Sequence, residues 1–265
     1  GPGTTRPQQK EARHGVGGGV DLRRDQLRLH RVDADPAVFI AQRARLQASY
    51  KLDNFNFYMS IQDVRTWGNT SQIKASDDYL SVHEAWAEVS LGEAWKVKLG
   101  RQELNYDNFR FLGNLDWALQ ARAHDFALAK YEKENMKLHF GGGYNQDGQV
   151  LSGTDYTVPN QYKTAQMLRY ENKFNKLQLS LLIWNEGRQF IRRDSLGAII
   201  EKKSPNRQTI GIPTLKYPIG NTTVSAFYYH QLGRDQLNRK VNAYDLGLQI
   251  THLIPLDAEK GRQVT

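Results

Sequence analysis

From Phe39 onward, apolar and polar residues alternate with period two, the spacing of a strand with two unlike faces. In the first segment Ile40, Ala44, Leu46, Ala48 and Tyr50 share one face, and Arg43, Arg45, Gln47 and Ser49 the other. Only Gln42 interrupts the apolar side. In the second, Phe55, Phe57, Met59 and Ile61 oppose Asn54, Asn56, Tyr58, Ser60 and Gln62. The scheme returns with Ala85, Ala87, Val89 and Leu91 against Glu84, Trp86, Glu88 and Ser90, then with Trp95, Val97 and Leu99 against Lys96 and Lys98. Leu138, Phe140 and Tyr144 oppose Lys137, His139 and Asn145. Leu177, Leu179, Leu181 and Ile183 oppose Gln178 and Ser180, while Leu182 and Trp184 break the polar side. Tyr244, Leu246, Leu248 and Ile250 against Asp245, Gly247 and Gln249 close a series of about eleven strands.

The connections alternate in length. Tight turns fall at 53–54, 92–94, 132–135, 173–175 and 218–221, and longer polar stretches at 66–80, 103–116, 146–160, 187–206 and 232–239. Short turns on one rim and long loops on the other describe an up-and-down membrane barrel. A soluble sandwich or lipocalin-like barrel needs no such alternation. Mean hydropathy is low, at −0.66. No run approaches the roughly 18–20 apolar residues of a membrane-spanning helix, so a helical membrane protein is excluded. A barrel is not, because its strands interleave lipid-facing and lumen-facing residues. Aromatic residues, 11% of the chain, cluster near strand ends as interfacial girdles do. The expected fold is therefore all-β, an up-and-down antiparallel transmembrane β-barrel over residues 37–265. Residues 1–36 are rich in Gly, Arg and Gln, lack periodicity and an apolar signal core, and read as a disordered or atypical lead-in. The end, Gly261, Arg262, Gln263, Val264 and Thr265, lacks a closing aromatic residue, so further C-terminal strands are expected.

The chain has no Cys, which removes disulfides, thiolate metal sites and a cysteine nucleophile. A net charge of +8 raises nucleic acid as a partner. The cations are spread among strands, however, which fits a cationic pore lining better. Candidates for an anion-binding lining are Arg43, Arg45, Lys96, Lys98, Arg101, Arg122 and Arg169, since a guanidinium meets a carboxylate in bidentate fashion. Arg101 is out of phase with Leu99, and a bulge at Gly100 would correct it. The alternative is that these cations pair with Glu84, Glu88, Asp125 and Asp245 and only hold the wall in shape. Asp63 with Arg65 and Asp107 with Arg110 suit loop salt bridges, or an inward fold of 103–117 that constricts a pore. Trp67 suits an interfacial anchor. Trp86 and Trp117 suit saccharide contact, as do Asp107, Arg110 and Asp125.

Catalytic patterns are weak. The histidines are scattered without a Ser partner. Glu84 and Glu88 would sit about 13 Å apart on a strand, too far for a glycosidase pair. Gly141, Gly142 and Gly143 precede no helix, and no His or carboxylate cluster has metal-ligand spacing. No enzyme, cofactor or metal is expected.

Several blocks resemble the alginate-export-like outer-membrane porins: Gln62-Asp63-Val64-Arg65-Thr66-Trp67-Gly68, His83-Glu84-Ala85-Trp86, and Leu99-Gly100-Arg101-Gln102-Glu103-Leu104 with Tyr106-Asp107 and Arg110. Gly113-Asn114, Asp116-Trp117 and Ala121-Arg122-Ala123-His124-Asp125 continue the match, while the rest, to about Ile250, agrees in texture only. The resemblance implies a monomeric barrel larger than this chain, in a family whose best-known relatives pass an acidic polysaccharide through an arginine-rich pore. The expected function is an outer-membrane porin for small or acidic solutes such as anionic saccharides, with outer-membrane lipid as its surroundings and no nucleic acid. The alternatives are a soluble β-rich carbohydrate-binding domain and an outer-membrane hydrolase.

Overall fold

The computed structural model describes residues 12–21, 39–73, 79–149, 151–156, 158–257 and 262–264. Their regular structure is all strand. In chain order these are β1 (Ala12–Asp21), β2 (Ala41–Leu52), β3 (Phe55–Thr66), β4 (Leu80–Ser90), β5 (Trp95–Gln102), β6 (His124–Lys133), β7 (Met136–Tyr144), β8 (Thr164–Phe174), β9 (Leu177–Gly187), β10 (Phe190–Arg193), β11 (Ile199–Lys203), β12 (Asn206–Ile219), β13 (Thr222–Arg234), β14 (Lys240–His252), β15 (Ile254–Asp257) and β16 (Arg262–Val264). β2 to β9 and β12 to β14 are the eleven strands that alternation and turns predict. The other five have separate origins. β10 and β11 form a hairpin inside the long connection 188–205, and β15 pairs with β16. β1 falls in the expected lead-in and is a strand by its backbone pairing with β2, from Ala12 opposite Tyr50 to Asp21 opposite Ala41. The remainder of residues 1–36 lies outside the described residues.

The chain divides into two compact units. The first, Gly1–Val89 with Leu99–Asn105 and Gly113–His124, pairs β1, β2, β3 and β4 antiparallel in chain order. The second, Ser90–Lys98 with Tyr106–Leu112 and Asp125–Thr265, pairs β6, β7, β8 and β9 in chain order, then β9 with β12, β13 and β14. β5 contributes residues to both. Antiparallel neighbours in sequence need only a tight reversal, which residues tolerant of the left-handed region supply. Asp53 (φ 40°), Glu134 (φ 52°) and Asn175 (φ 54°) make three of these turns, and Gly220 (φ 58°) a fourth.

The two faces are inverted relative to a soluble sheet. On β9, Leu181 and Ile183 are 41% and 46% exposed, whereas Ser180 is fully buried and Glu186 nearly so. On β8, Leu168 is exposed between buried Met167 and buried Arg169. Along β14, Tyr244, Leu246, Leu248 and Ile250 form a continuous exposed apolar row. Apolar side chains so ordered outside, with polar ones inside, suit lipid rather than water. Leu182 and Trp184, which spoil the pattern in the sequence, are with Ser180 the most buried residues of β9, at 1% and 2%. They share the face of Ser180, and Trp184 packs against aromatic rings, among them Phe111 from a connection. At the opposite extreme, Gln42 interrupts the apolar side because it accepts a hydrogen bond from the indole of Trp67 at 2.9 Å, which fixes that exposed ring at the end of the strand pair.

Candidate functional site

The long connection after β5 carries the densest polar chemistry. Its segment Tyr106–Leu112 belongs to the second unit and lies against the polar face of that unit's strands. Asp107 takes two bonds from Arg169 of β8, Nε to Oδ2 at 3.1 Å and Nη2 to Oδ1 at 2.8 Å, and a third from the Thr214 hydroxyl of β12 at 3.1 Å. The Tyr229 hydroxyl of β13 donates to Asn108 Oδ1 at 3.0 Å, and Arg110 pairs with Asp245 of β14 while its guanidinium lies 4.9 Å from the Phe227 ring centroid. The Tyr106 hydroxyl is 2.9 Å from His139 Nδ1, and His139 Nε2 is 3.1 Å from Glu132, which also accepts from Lys96 Nζ at 2.8 Å. Phe111 stands edge-on to Trp184, with ring centroids 6.1 Å apart, and Trp184 stacks on Phe126 at 5.9 Å. Trp184 faces inward because this segment brings it an apolar partner, Phe111.

Asp107 and Phe109 both hold φ of 57°, a left-handed conformation that costs non-glycine residues of order 1–3 kcal/mol each. Four separate side-chain bonds to strand residues outweigh that strain. The segment is fixed to the wall and not a free loop.

In the first unit the later part of the same connection docks on β2 and β3. Arg43 donates to Asp116 at 2.7 Å and to the Leu119 carbonyl at 3.3 Å. Arg45 donates to Gln62 Oε1 at 2.7 Å, and Gln62 Nε2 in turn donates to the Gln120 carbonyl at 2.9 Å. Arg122 clamps the Gly113 carbonyl through Nε and Nη2 at 2.9 and 2.6 Å. Glu103 accepts from Asn105 and Asn114 at 2.6 and 2.9 Å and lies 2.8 Å from His83 Nε2. Burial alone would raise the Glu103 carboxyl, but these bonds outweigh it and hold it below the usual carboxylate range.

The expected lining is thus largely engaged. Arg43, Arg45, Lys96, Arg122 and Arg169 each hold an acid, an amide or a carbonyl, with Asp116, Glu132, Asp107 and Glu171 among the acids. Of the expected acids, Asp245 does hold a cation, Arg110. Asp107 and Arg110, read in the sequence as partners, bind different strands because the left-handed turn between them sends their side chains apart. Asp63 and Arg65 do pair, Arg65 Nε donating at 2.6 Å.

Lys98 and Arg101 are half-buried on β5. Gly100 has φ of +120°, a backbone conformation that favours glycine, and an added Cβ there would lie 2.3 Å from the Ala85 carbonyl oxygen. Trp86 stacks on Tyr58, centroids 5.5 Å apart, on the polar face of β4, and Trp117 is exposed in the connection. Asp125 is the second residue of β6, on the opposite phase to buried Phe126 and Leu128. Alternation at the strand start decides this, and no spacing in the sequence showed where β6 begins.

Lys216 of β12 was missed. It helps line a cavity of about 230 Å³ with Asp107, Asn108, Thr214, Phe227 and Gln249. Pro213 conceals this strand in the sequence, because the ladder shifts register on both sides of it, between Gly211 and Thr214 against β9 and between Ile212 and Leu215 against β13.

Chain-ordered antiparallel strands with exposed apolar rows are the arrangement of an outer-membrane β-barrel. Among solved structures, in-vitro folded OmpT of Vibrio cholerae, an outer membrane protein in its trimer form, is similar at a TM-score of 0.52 and 16% identity, over 92% of this chain and 73% of that one. A loop L8 deletion mutant of the same protein is similar at 0.52 and 14%, over 91% and 76%. The sequence model of the alginate export family matches residues 21–152, a stretch that includes the Gly100 to Leu104 block and its neighbours. No curated relative matches the chain. The chain is a protein of the cell outer membrane, with lipid against its apolar face.

Proposed function

We propose that this chain forms a passive, monomeric channel for small acidic solutes, acidic saccharides among them, and that it performs no catalysis. One observation carries the reading: the segment Tyr106–Leu112 is fixed to the polar face of the wall by Asp107, Asn108 and Arg110. Such a segment narrows the path beside it with a polar surface of constant shape, which a diffusion channel needs and a closed wall does not. Around it the carboxylates Asp107, Glu132, Glu171 and Asp245 each have a cation of their own, Arg169, Lys96, Lys137 and Arg110, and Lys216 in the cavity wall adds one beyond these pairs. The local field is therefore positive, in the direction of the whole-chain excess of +8. The Asn108 amide, the Thr214 hydroxyl and Gln249 give sugar hydroxyls bonding partners within reach of that lysine.

Planar-bilayer recording of the purified chain tests the proposal. Single-step openings with a reversal potential on the anion side are expected in a salt gradient, and Lys216→Gln should shift that potential toward zero. Cation selectivity of the unsubstituted chain would refute the acidic-solute preference, and the lack of any conductance would refute the channel.

A further inference from the structure

We propose that His83, Glu84 and Glu103 form a divalent-metal site, of the kind that takes zinc or manganese, which ties β4 to the residue following β5. One ligand atom from each of the three residues lies within 4.8 Å of the others. Successive residues of a regular strand point to opposite faces, so His83 and Glu84 should diverge. They do not, because β4 carries an extra residue there: Glu84 stands opposite Ser60 and Val82 opposite Ile61, leaving His83 as the bulge. Bulges of this kind re-aim a side chain, and both residues are buried as a result.

The surrounding hydrogen bonds occupy the far oxygens. Glu103 Oε2 accepts from Asn105 and Asn114, which leaves Oε1 toward His83. Glu84 Oε1 accepts from the Trp86 indole at 3.2 Å and from the Glu103 backbone N–H at 2.9 Å, which leaves Oε2 for a ligand. Outer bonds that fix a carboxylate in this way are what a metal site requires. Independent of this cluster, the Ser60 hydroxyl is fully buried with no hydrogen-bond partner among the described residues, directly across the ladder from Glu84 and on its face. A water on the ion, or the ion itself, would satisfy it. One imidazole with two carboxylates and no thiolate favours zinc or manganese over the all-oxygen cages of calcium and magnesium.

The test uses the full chain without a histidine tag, refolded in detergent, stripped with chelator and titrated with Zn²⁺ by calorimetry, with the visible spectrum of Co²⁺ as a second probe. One ion per chain with micromolar or tighter affinity is expected. His83→Gln and Glu103→Gln should each weaken it by more than about 10-fold, and Ser60→Ala by about 10-fold, the scale of outer-sphere effects. Heat-dependent gel mobility reports whether each variant is folded. If the His83 and Glu103 variants do not fold, Ser60→Ala and the Co²⁺ spectrum of the unsubstituted chain decide. No submillimolar binding by the unsubstituted chain, or binding that survives in a folded His83→Gln, overturns the site.

Discussion

Arg169 and Asp107 have side chains only 4% and 2% exposed, which puts their pairing among buried ion pairs. Removing one member of such a pair leaves an uncompensated charge and costs about 3–5 kcal/mol, while removing both costs far less. Arg169→Met should therefore lower the denaturant midpoint of the refolded chain steeply, and Arg169→Met with Asp107→Asn should recover most of the loss. Equal midpoints for Arg169→Met and the unsubstituted chain would show that the pair holds nothing. Exposed pairs are another matter: Arg239 with Asp235 at 2.7 Å stands in water, where such contacts contribute little. The residue scale also shows what the sequence could convey. Arg169 was legible as a candidate cation of the polar lining. Its partner was not, because Asp107 lies 62 residues away in a connection with no period to phase it. Tyr229, Lys216 and His83 were hidden for the same reason, their roles being fixed by what docks on them or by a bulge.

Strands were the readable elements. Alternation located β2, β3, β9 and β14, and left-handed turn residues marked their ends, so those boundaries follow from local chemistry alone. Connections were readable only in length. The stretch 235–239 shows how a short one is held: the Asp235 carboxylate accepts from the backbone N–H groups of Leu237 and Arg239 at 2.9 and 2.8 Å. The Arg239 N–H bond, with the Arg239 guanidinium helping, holds the Asp235 carboxyl below the usual range. A carboxyl depressed in the folded state stabilises above its unfolded value, about 4 for Asp, and that contribution is lost as pH falls through the lower folded value. Amide exchange at Leu237 and Arg239 should thus stay slow through neutral pH and quicken only below about pH 4. In Asp235→Asn the acid-dependent step should vanish. A step centred above the ordinary Asp value would contradict the assignment.

For the whole molecule, the discriminating property is the face that carries no function. A water-soluble carbohydrate-binding sheet and an outer-membrane barrel can share alternation, charge and docked connections, but they differ in what the exposed apolar row touches. Leu248 is 70% exposed, in line with Leu246 and Ile250. In water, Leu248→Arg would be close to neutral or would improve solubility, since surface substitutions away from special features stay within about 0.5 kcal/mol. Facing lipid near the bilayer midplane, the same change costs about 2–4 kcal/mol. Refolding of Leu248→Arg into lipid vesicles, followed by denaturant titration, should show that loss, and Thr251→Arg, on the opposite phase of β14, should show much less. Equal stability of the two variants would return the apolar row to solvent and the chain to the soluble reading. The expected inequality would tie the alternation first visible at Phe39 to the solvent it was patterned for.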